Sequence, residues 1–224
     1  MKPDFSVSLM CMDFLNIKSQ MDVLNEEMAM YHADIMDGHY CKNITLSPDL
    51  IKTFSSVATL PIDVHLMTTN PGDWIELCAQ AGATYISPHA ETINTDVFRI
   101  MNMIKNVGCK TGVVLNPATP LSYVEPYLDR IDMLTIMTVD VGFAGQPFIE
   151  EMLDKIKAAV KLREEKGYTY KIQVDGSCNK KTFKRLKEAG TDIFVVGSSG
   201  LFNLDEDLKR ACDKAYQDFE EETK

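Results

Sequence analysis

Apolar and β-branched residues gather into eight short runs: 5–10 (FSVSLM), 31–37 (YHADIMD), 61–67 (PIDVHLM), 84–90 (TYISPHA), 110–116 (KTGVVLN), 133–140 (MLTIMTVD), 170–176 (YKIQVDG) and 193–199 (IFVVGSS). Runs of this length and composition predict strands. Between them lie stretches of helical character at 13–29, 48–57, 71–81, 94–107, 120–129, 149–166, 179–189 and 205–220. Asp13, Ser47-Pro48, Asn70-Pro71 and Thr119-Pro120 each place a capping oxygen ahead of a first turn. Small-residue stops follow in "QAGA" (80–83) and "EAGT" (188–191).

Eight alternating strand–helix units, with no Pro/Ser-rich linker, predict an α/β fold of the (β/α)8 TIM-barrel kind, with residues 1–224 as one domain. An open, doubly wound sheet is the structural alternative. That fold would carry a glycine-rich turn after its first strand, and "SLMCMD" is not one.

Charge and cysteine usage narrow the function classes. With 23 basic and 33 acidic side chains the net charge is −10, which argues against a nucleic-acid or anionic-membrane surface. The six scattered cysteines form no C-x-x-C pair and read as reduced thiols of a cytoplasmic protein. Residues 1–20 do not show the basic-then-apolar pattern of a secretory signal, and no apolar run approaches the roughly 18 residues of a membrane span, so a cytoplasmic protein is expected.

Chemistry concentrates at the strand ends. His32 and Asp34 stand two apart near the end of the second predicted strand, so both point to one face. His65 is near the end of the third, and Asp175 ends the seventh. A lone strand histidine is usually a core residue, and an isolated aspartate at a strand end is usually a helix cap. Four such residues on one barrel rim point instead to a site, because catalytic groups of these barrels come from the carboxyl ends of the strands. Two imidazoles and two carboxylates suit a divalent cation with positions left for substrate.

The glycine-containing ends "VDGS" (174–177) and "VVGSSG" (195–200), with "VGFAGQ" (141–146) after strand six, are placed where barrels build phosphate sites from backbone N–H groups. Met10, Met36, Met67 and Met137 also fall near strand ends, either as barrel filler or as a dry wall over the reacting centre.

Taken together, "SVSLMCMD", "HADIMDGHY", "DVHLM", "MTVDVGFAGQPFIEEML", "VDGSCN" and "VVGSSGLF" resemble the ribulose-phosphate 3-epimerase family, in order, from about residue 5 to 203. Within it, "NITLSPDL", "FAGQPFIEEMLDKI" and "VDGSCN" look closest to the branch acting on D-allulose 6-phosphate. Ser177 and Ala144 stand where ribulose-phosphate enzymes typically carry a second glycine.

The resemblance implies a ribulose-phosphate-binding barrel that epimerises carbon 3 of a ketose phosphate through an enediolate. It implies one divalent metal ion per chain (Zn, Fe, Co, Mn or Mg) held by His32, Asp34, His65 and Asp175. Asp34 and Asp175 would act as the acid/base pair. Ser8, His65, Met36, Met67, Met137, Gly142, Phe143, Ala144, Gly145, Gly176 and Ser177 would meet the substrate. Gly176, Ser177, Gly197, Ser198 and Ser199 would hold its phosphate. A homo-oligomer, dimer or hexamer, is implied as well. Two departures stand out: Val141 replaces a usual proline, which points to a looser loop after strand six, and Pro88 precedes His89, to which no catalytic role is assigned.

The expected substrate is therefore D-allulose 6-phosphate, with D-ribulose 5-phosphate as the alternative. A metal-assisted sugar-phosphate lyase competes on fold alone, but no lysine occupies the strand ends bearing Asp34, His65 or Asp175. A non-catalytic phosphosugar-binding protein would have no need of two carboxylates.

Overall fold

A computed structural model describes residues 2–224. Its eight strands are β1 (Asp4–Ser8), β2 (Met30–Met36), β3 (Ile62–Met67), β4 (Tyr85–Pro88), β5 (Lys110–Leu115), β6 (Met133–Met137), β7 (Lys171–Asp175) and β8 (Ile193–Val196). All pair in parallel with their neighbours, and β8 pairs with β1 to close the barrel. The helices are α1 (Ile17–Glu27), α2 (Pro48–Ser55), α3 (Ile75–Gln80), α4 (Ala90–Ile93), α5 (Val97–Asn106), α6 (Met152–Lys166), α7 (Phe183–Ala189) and α8 (Leu208–Glu222). The (β/α)8 TIM barrel read from the chain is the fold.

The period-2 alternation of the strands divides the core in two. One set, including Tyr31, Ala33, Ile35, Val64, Leu66, Ile86, Ile172 and Val174, joins the large apolar cluster formed with the helices. The other parity points into the barrel, and there the chain places polar groups: Ser6, His32, Asp63, His65, Ser87, Thr135 and Gln173 are all fully buried. Aromatic packing closes the seam between first and last strands. Phe5 on β1 stacks on Phe183 of α7 at 5.5 Å and Tyr216 of α8 at 4.9 Å.

Several local expectations change. The predicted helix 120–129 is instead two 3₁₀ turns, Leu121–Tyr123 and Glu125–Arg130. Pro126 has no N–H to offer a fourth-preceding carbonyl, and its ring crowds that position. Asp13 does not cap α1, whose N-cap is Asn16; its carboxylate accepts from the Leu15 N–H and the Asn16 amide, three residues early. Ser47 does cap α2, accepting from the Leu50 N–H. Neither Asn70 nor Thr119 caps a helix; the Thr119 hydroxyl donates to Glu91 instead. Strands one and eight stop short of the predicted ends, because Leu9–Cys11 and Ser198–Phe202 wind into a 3₁₀ turn and a π-helical turn on the rim. Gly190, in the "EAGT" stop, takes the left-handed conformation that ends α7.

No helix among the described residues is long and apolar enough to cross a membrane. All six cysteines are free.

Candidate functional site

Strand register builds the centre of the site. β2 and β3 pair so that His32 lies beside Asp63 and Asp34 beside His65. Asp175 enters from β7, on the far side of β1 and β8 from β2. His32 Nε2 is 3.3 Å from Asp34 Oδ1 and 3.5 Å from Asp175 Oδ2. His65 Nδ1 is 3.2 Å and 3.6 Å from the same two oxygens. One ligating atom from each of the four residues lies within 4.8 Å of every other.

The electrostatics of this cluster favour a cation. Burial opposes charge on His32, but Asp34, Asp175 and Asp63 together hold its imidazole well above its ordinary pKa. Burial likewise opposes charge on His65, and Asp175 and Asp34 outweigh it. Burial pushes both carboxyls up, and the two imidazoles more than reverse this, so Asp34 and Asp175 are held below the usual carboxylate range. Yet His32 Nε2 and His65 Nδ1 stand 3.2 Å apart, leaving room for only one proton between them. A divalent cation is the single partner that all four atoms can bind at once, and it must displace imidazole protons to do so. The donor set, two nitrogens and two carboxylate oxygens with positions left open, fits such an ion.

Each imidazole is held from behind. His32 Nδ1 is 3.0 Å from Asp63 Oδ2, whose other oxygen accepts from the Ser87 hydroxyl at 2.5 Å. A Cβ on Gly112 would lie 1.9 Å from that hydroxyl, so the glycine makes the space in which Ser87 supports Asp63. On the other side, His65 Nε2 is 2.8 Å from His89 Nε2. Burial pushes His89 down to about 4, which keeps it neutral. The sequence gives His89 no part in the site; the structure puts it directly behind His65.

Above the cluster opens a cleft of about 630 Å³, lined by Ser8, Asp34, Asp175 and all four rim methionines, Met10, Met36, Met67 and Met137. Its wall also includes Gly142, Phe143, Ala144, Gly145, Gly176, Ser177, Gly197, Ser198 and Ser199. The Ser8 hydroxyl donates to Asp34 Oδ2 at 3.1 Å, orienting that carboxylate. His65, expected also to touch substrate, lies fully buried beneath the carboxylates and off the cleft wall. Met36, Met67 and Met137 are nearly inaccessible and form two small apolar clusters, with Val141 packed against both.

That packing answers the expectation of a looser loop after strand six. Val141 is seated between the methionines, and the Asn43 amide donates to the Gly142 carbonyl at 2.7 Å. The Gln146 amide donates to the Asp140 and Phe143 carbonyls. The Ser177 hydroxyl donates to the Gln146 carbonyl at 2.5 Å and ties this loop to the one after β7. Ser177 adopts φ +51°, a conformation that costs a serine about 1 kcal/mol or more.

No lysine or arginine is among the described residues lining the cleft. Backbone N–H groups and the hydroxyls of Ser198 and Ser199 are the donors there for an anion, the Ser177 hydroxyl being given to the Gln146 carbonyl. At Gly176, φ +121°, a Cβ would meet Val139 at 2.7 Å, so only glycine lets the backbone turn there.

Comparisons with known proteins speak to the family and the fold. The profile of the ribulose-phosphate 3 epimerase family matches residues 4–202. Ribulose-phosphate 3-epimerase of Bacillus subtilis is 40% identical over 194 residues, 86% of this chain and 89% of that protein. The Escherichia coli K12 enzyme of the same name is 40% identical over 169 residues, 75% of each chain. Among solved structures, 3-hexulose-6-phosphate synthase from Salmonella typhimurium superposes with a TM-score of 0.72 at 18% identity, covering 99% of this chain and 100% of that one. KGPDC from Streptococcus mutans gives 0.74 at 14%, covering 98% of each. At these identities the two structures speak for the barrel alone. The profile match and the curated relatives carry the further step: the chain belongs to the ribulose-phosphate 3-epimerase family, and is an enzyme, a carbohydrate-phosphate epimerase.

Proposed function

We propose that the chain interconverts D-ribulose 5-phosphate and D-xylulose 5-phosphate by inverting carbon 3. The observation that carries this is the pair of carboxylates, Asp34 and Asp175, entering the floor of one cleft from β2 and β7 beside two imidazoles. The curated relatives named ribulose-phosphate 3-epimerase favour the five-carbon sugar over the allulose 6-phosphate that the sequence motifs suggest.

Epimerisation removes a proton next to the ketone and returns one to the opposite face of the planar intermediate, which calls for two acid/base groups on two sides. Asp34 and Asp175 take these roles, one withdrawing and the other delivering. Ser8 fixes the rotation of Asp34. A divalent cation held by His32, Asp34, His65 and Asp175 would supply a Lewis acid for the negative charge that develops on the substrate oxygens. The methionine wall keeps bulk water from that charge. Gly176, Ser177, Gly197, Ser198 and Ser199 bind the phosphate, and their distance from the carboxylates along the cleft sets which carbon lies between the two acids.

The six-carbon sugar is the second reading, favoured by Ser177 and Ala144 in the cleft wall, where the Ser177 side chain is drawn toward the Gln146 carbonyl. Epimerisation of ribulose 5-phosphate and allulose 6-phosphate should be measured side by side on the metal-reconstituted protein. The larger kcat/KM is expected for ribulose 5-phosphate. A clear preference for allulose 6-phosphate moves the substrate to the hexulose, and turnover of neither sinks the assignment.

A further inference from the structure

We propose that Asn43 and Ser177 are positioning residues that clasp the loop after β6, residues 140–146, against the cleft from two sides and so retain the phosphosugar. The retention rests on the proposed reading of the cleft as a phosphosugar site. The clasp itself rests on geometry.

This loop is a large part of the cleft wall, which includes Asp140, Gly142, Phe143, Ala144, Gly145 and Gln146. It belongs to no strand or helix, because β6 stops at Met137 and α6 starts at Met152. Side chains hold it instead. Gln146 braces the loop from within, its amide donating to the Asp140 and Phe143 carbonyls. Among the described residues, two hydrogen bonds reach 140–146 from other elements. The Asn43 amide donates to the Gly142 carbonyl at 2.7 Å, and the Ser177 hydroxyl to the Gln146 carbonyl at 2.5 Å. Phe143 lies between these two corners and is 55% exposed.

Asn43 stands on a stiff rim. The Asp37 carboxylate accepts from the N–H groups of His39, Tyr40 and Thr69, each at 2.8 Å, which ties the loop after β2 to the end of β3. Asp37 also pairs with Ile44 in an antiparallel bridge, and the Thr45 hydroxyl donates to the Asp34 carbonyl. Asn43 Oδ1 accepts from the Ile44 N–H at 2.9 Å, so its NH₂ group is the end left for Gly142. A Cβ on Gly142, at φ +111°, would come to 3.2 Å from Cys41 Cβ, so glycine lets the loop settle on this rim.

On the other side, Ser177 is the one non-glycine residue at positive φ among the described residues. Strain of this kind persists where the surroundings impose it, and it clusters at functional positions. Glycine would hold that backbone without strain. What serine adds is its hydroxyl, and the hydroxyl goes to the loop. Asn43, by contrast, has no part in the cleft wall, so it can act on a bound sugar only through the loop.

Two variants separate the clasp from the rest of the fold. Asn43→Asp keeps size and the bond from Ile44 but sets a carboxylate oxygen against the Gly142 carbonyl. Ser177→Gly removes the hydroxyl and suits φ +51°, so its melting temperature should hold. Chymotrypsin cuts after phenylalanine, and cutting of a folded protein follows the population of locally open molecules when opening is fast. Losing one neutral hydrogen bond changes that population by about 2- to 10-fold. Cleavage after Phe143 in the ligand-free protein should rise by that factor in each variant, and by the product of the two in the double variant. Cleavage after Phe14 and Phe98, which are similarly exposed at 46% and 45%, should keep the parent rate. With the better of the two sugar phosphates, Asn43→Asp should raise KM by a like factor while kcat holds or rises, since a loosened loop frees product sooner.

A parent rate of cleavage after Phe143 in either variant overturns that residue's part in the clasp. An equal rise after Phe14 and Phe98 means a loosened fold and overturns the local clasp. A fall in kcat with KM unchanged overturns retention. If the parent turns over neither ribulose 5-phosphate nor allulose 6-phosphate, the substrate reading falls, while the cleavage rates still test the clasp.

Discussion

Asp34→Asn and Asp175→Asn should each lower turnover by about 10²- to 10⁴-fold, the usual worth of a positioned acid/base group. The substitution keeps shape, and an amide oxygen still faces the cluster, but asparagine has no proton to give at neutral pH and no lone pair basic enough to take one. A loss of this size corresponds to about 3–5 kcal/mol of transition-state stabilisation. It should appear in kcat, because the loops proposed to hold the phosphate are untouched. Isotope exchange sharpens the test. In heavy water, a variant with one competent carboxylate should exchange the carbon 3 proton of one epimer without producing the other. Which epimer exchanges should swap between the two variants. If both variants epimerise at near-normal rates, Asp34 and Asp175 are not the proton-transfer pair.

Ser198→Asp should raise KM sharply for the phosphorylated sugar. Ser198 opens the π-helical turn after Gly197, in a wall that has hydroxyls and backbone N–H groups but no cationic side chain. A carboxylate placed there meets the phosphate with nothing to offset the repulsion. Like charges so juxtaposed cost several kcal/mol, so kcat/KM should fall by about 10²-fold or more. Metal content should be unchanged, because the ligating atoms of His32, Asp34, His65 and Asp175 converge on the cleft floor, a cluster in which Ser198 has no part. The slow reaction of the unphosphorylated sugar should hardly change, which separates repulsion from damage to the fold. A variant that handles the phosphates as the parent does would place the phosphate elsewhere.

The barrel and the centre of the site were legible in the chain because their signals are local. Short runs of apolar and β-branched residues located all eight strands, and period-2 alternation put His32 and Asp34 on one face without reference to any other strand. What stayed hidden depends on pairing across strands. His89 follows β4 in a stretch that gives no hint of its partner. Only the β3–β4 register, which sets His65 beside Ser87 and Leu66 beside Pro88, brings the next residue's ring up to His65. Asp63 was equally silent, because its role comes from standing beside His32 on the adjacent strand. Thr119 misled in the opposite direction. Its Thr-Pro pair has the form of a cap, but the hydroxyl is drawn to Glu91, 28 residues earlier in the chain.

The cleft wall without lysine or arginine has a consequence for the approach of the substrate. A basic surface draws a phosphate in from a distance, and salt slows such an encounter. On the proposed reading, a phosphate dianion diffuses toward a chain of net charge −10 and finds neutral donors at its destination. The long-range field is repulsive and the attraction begins only at contact, so mobile ions, which screen charges beyond about 8 Å at physiological strength, act as helpers. The second-order rate of capture should therefore climb as ionic strength rises from near zero, the reverse of electrostatic steering.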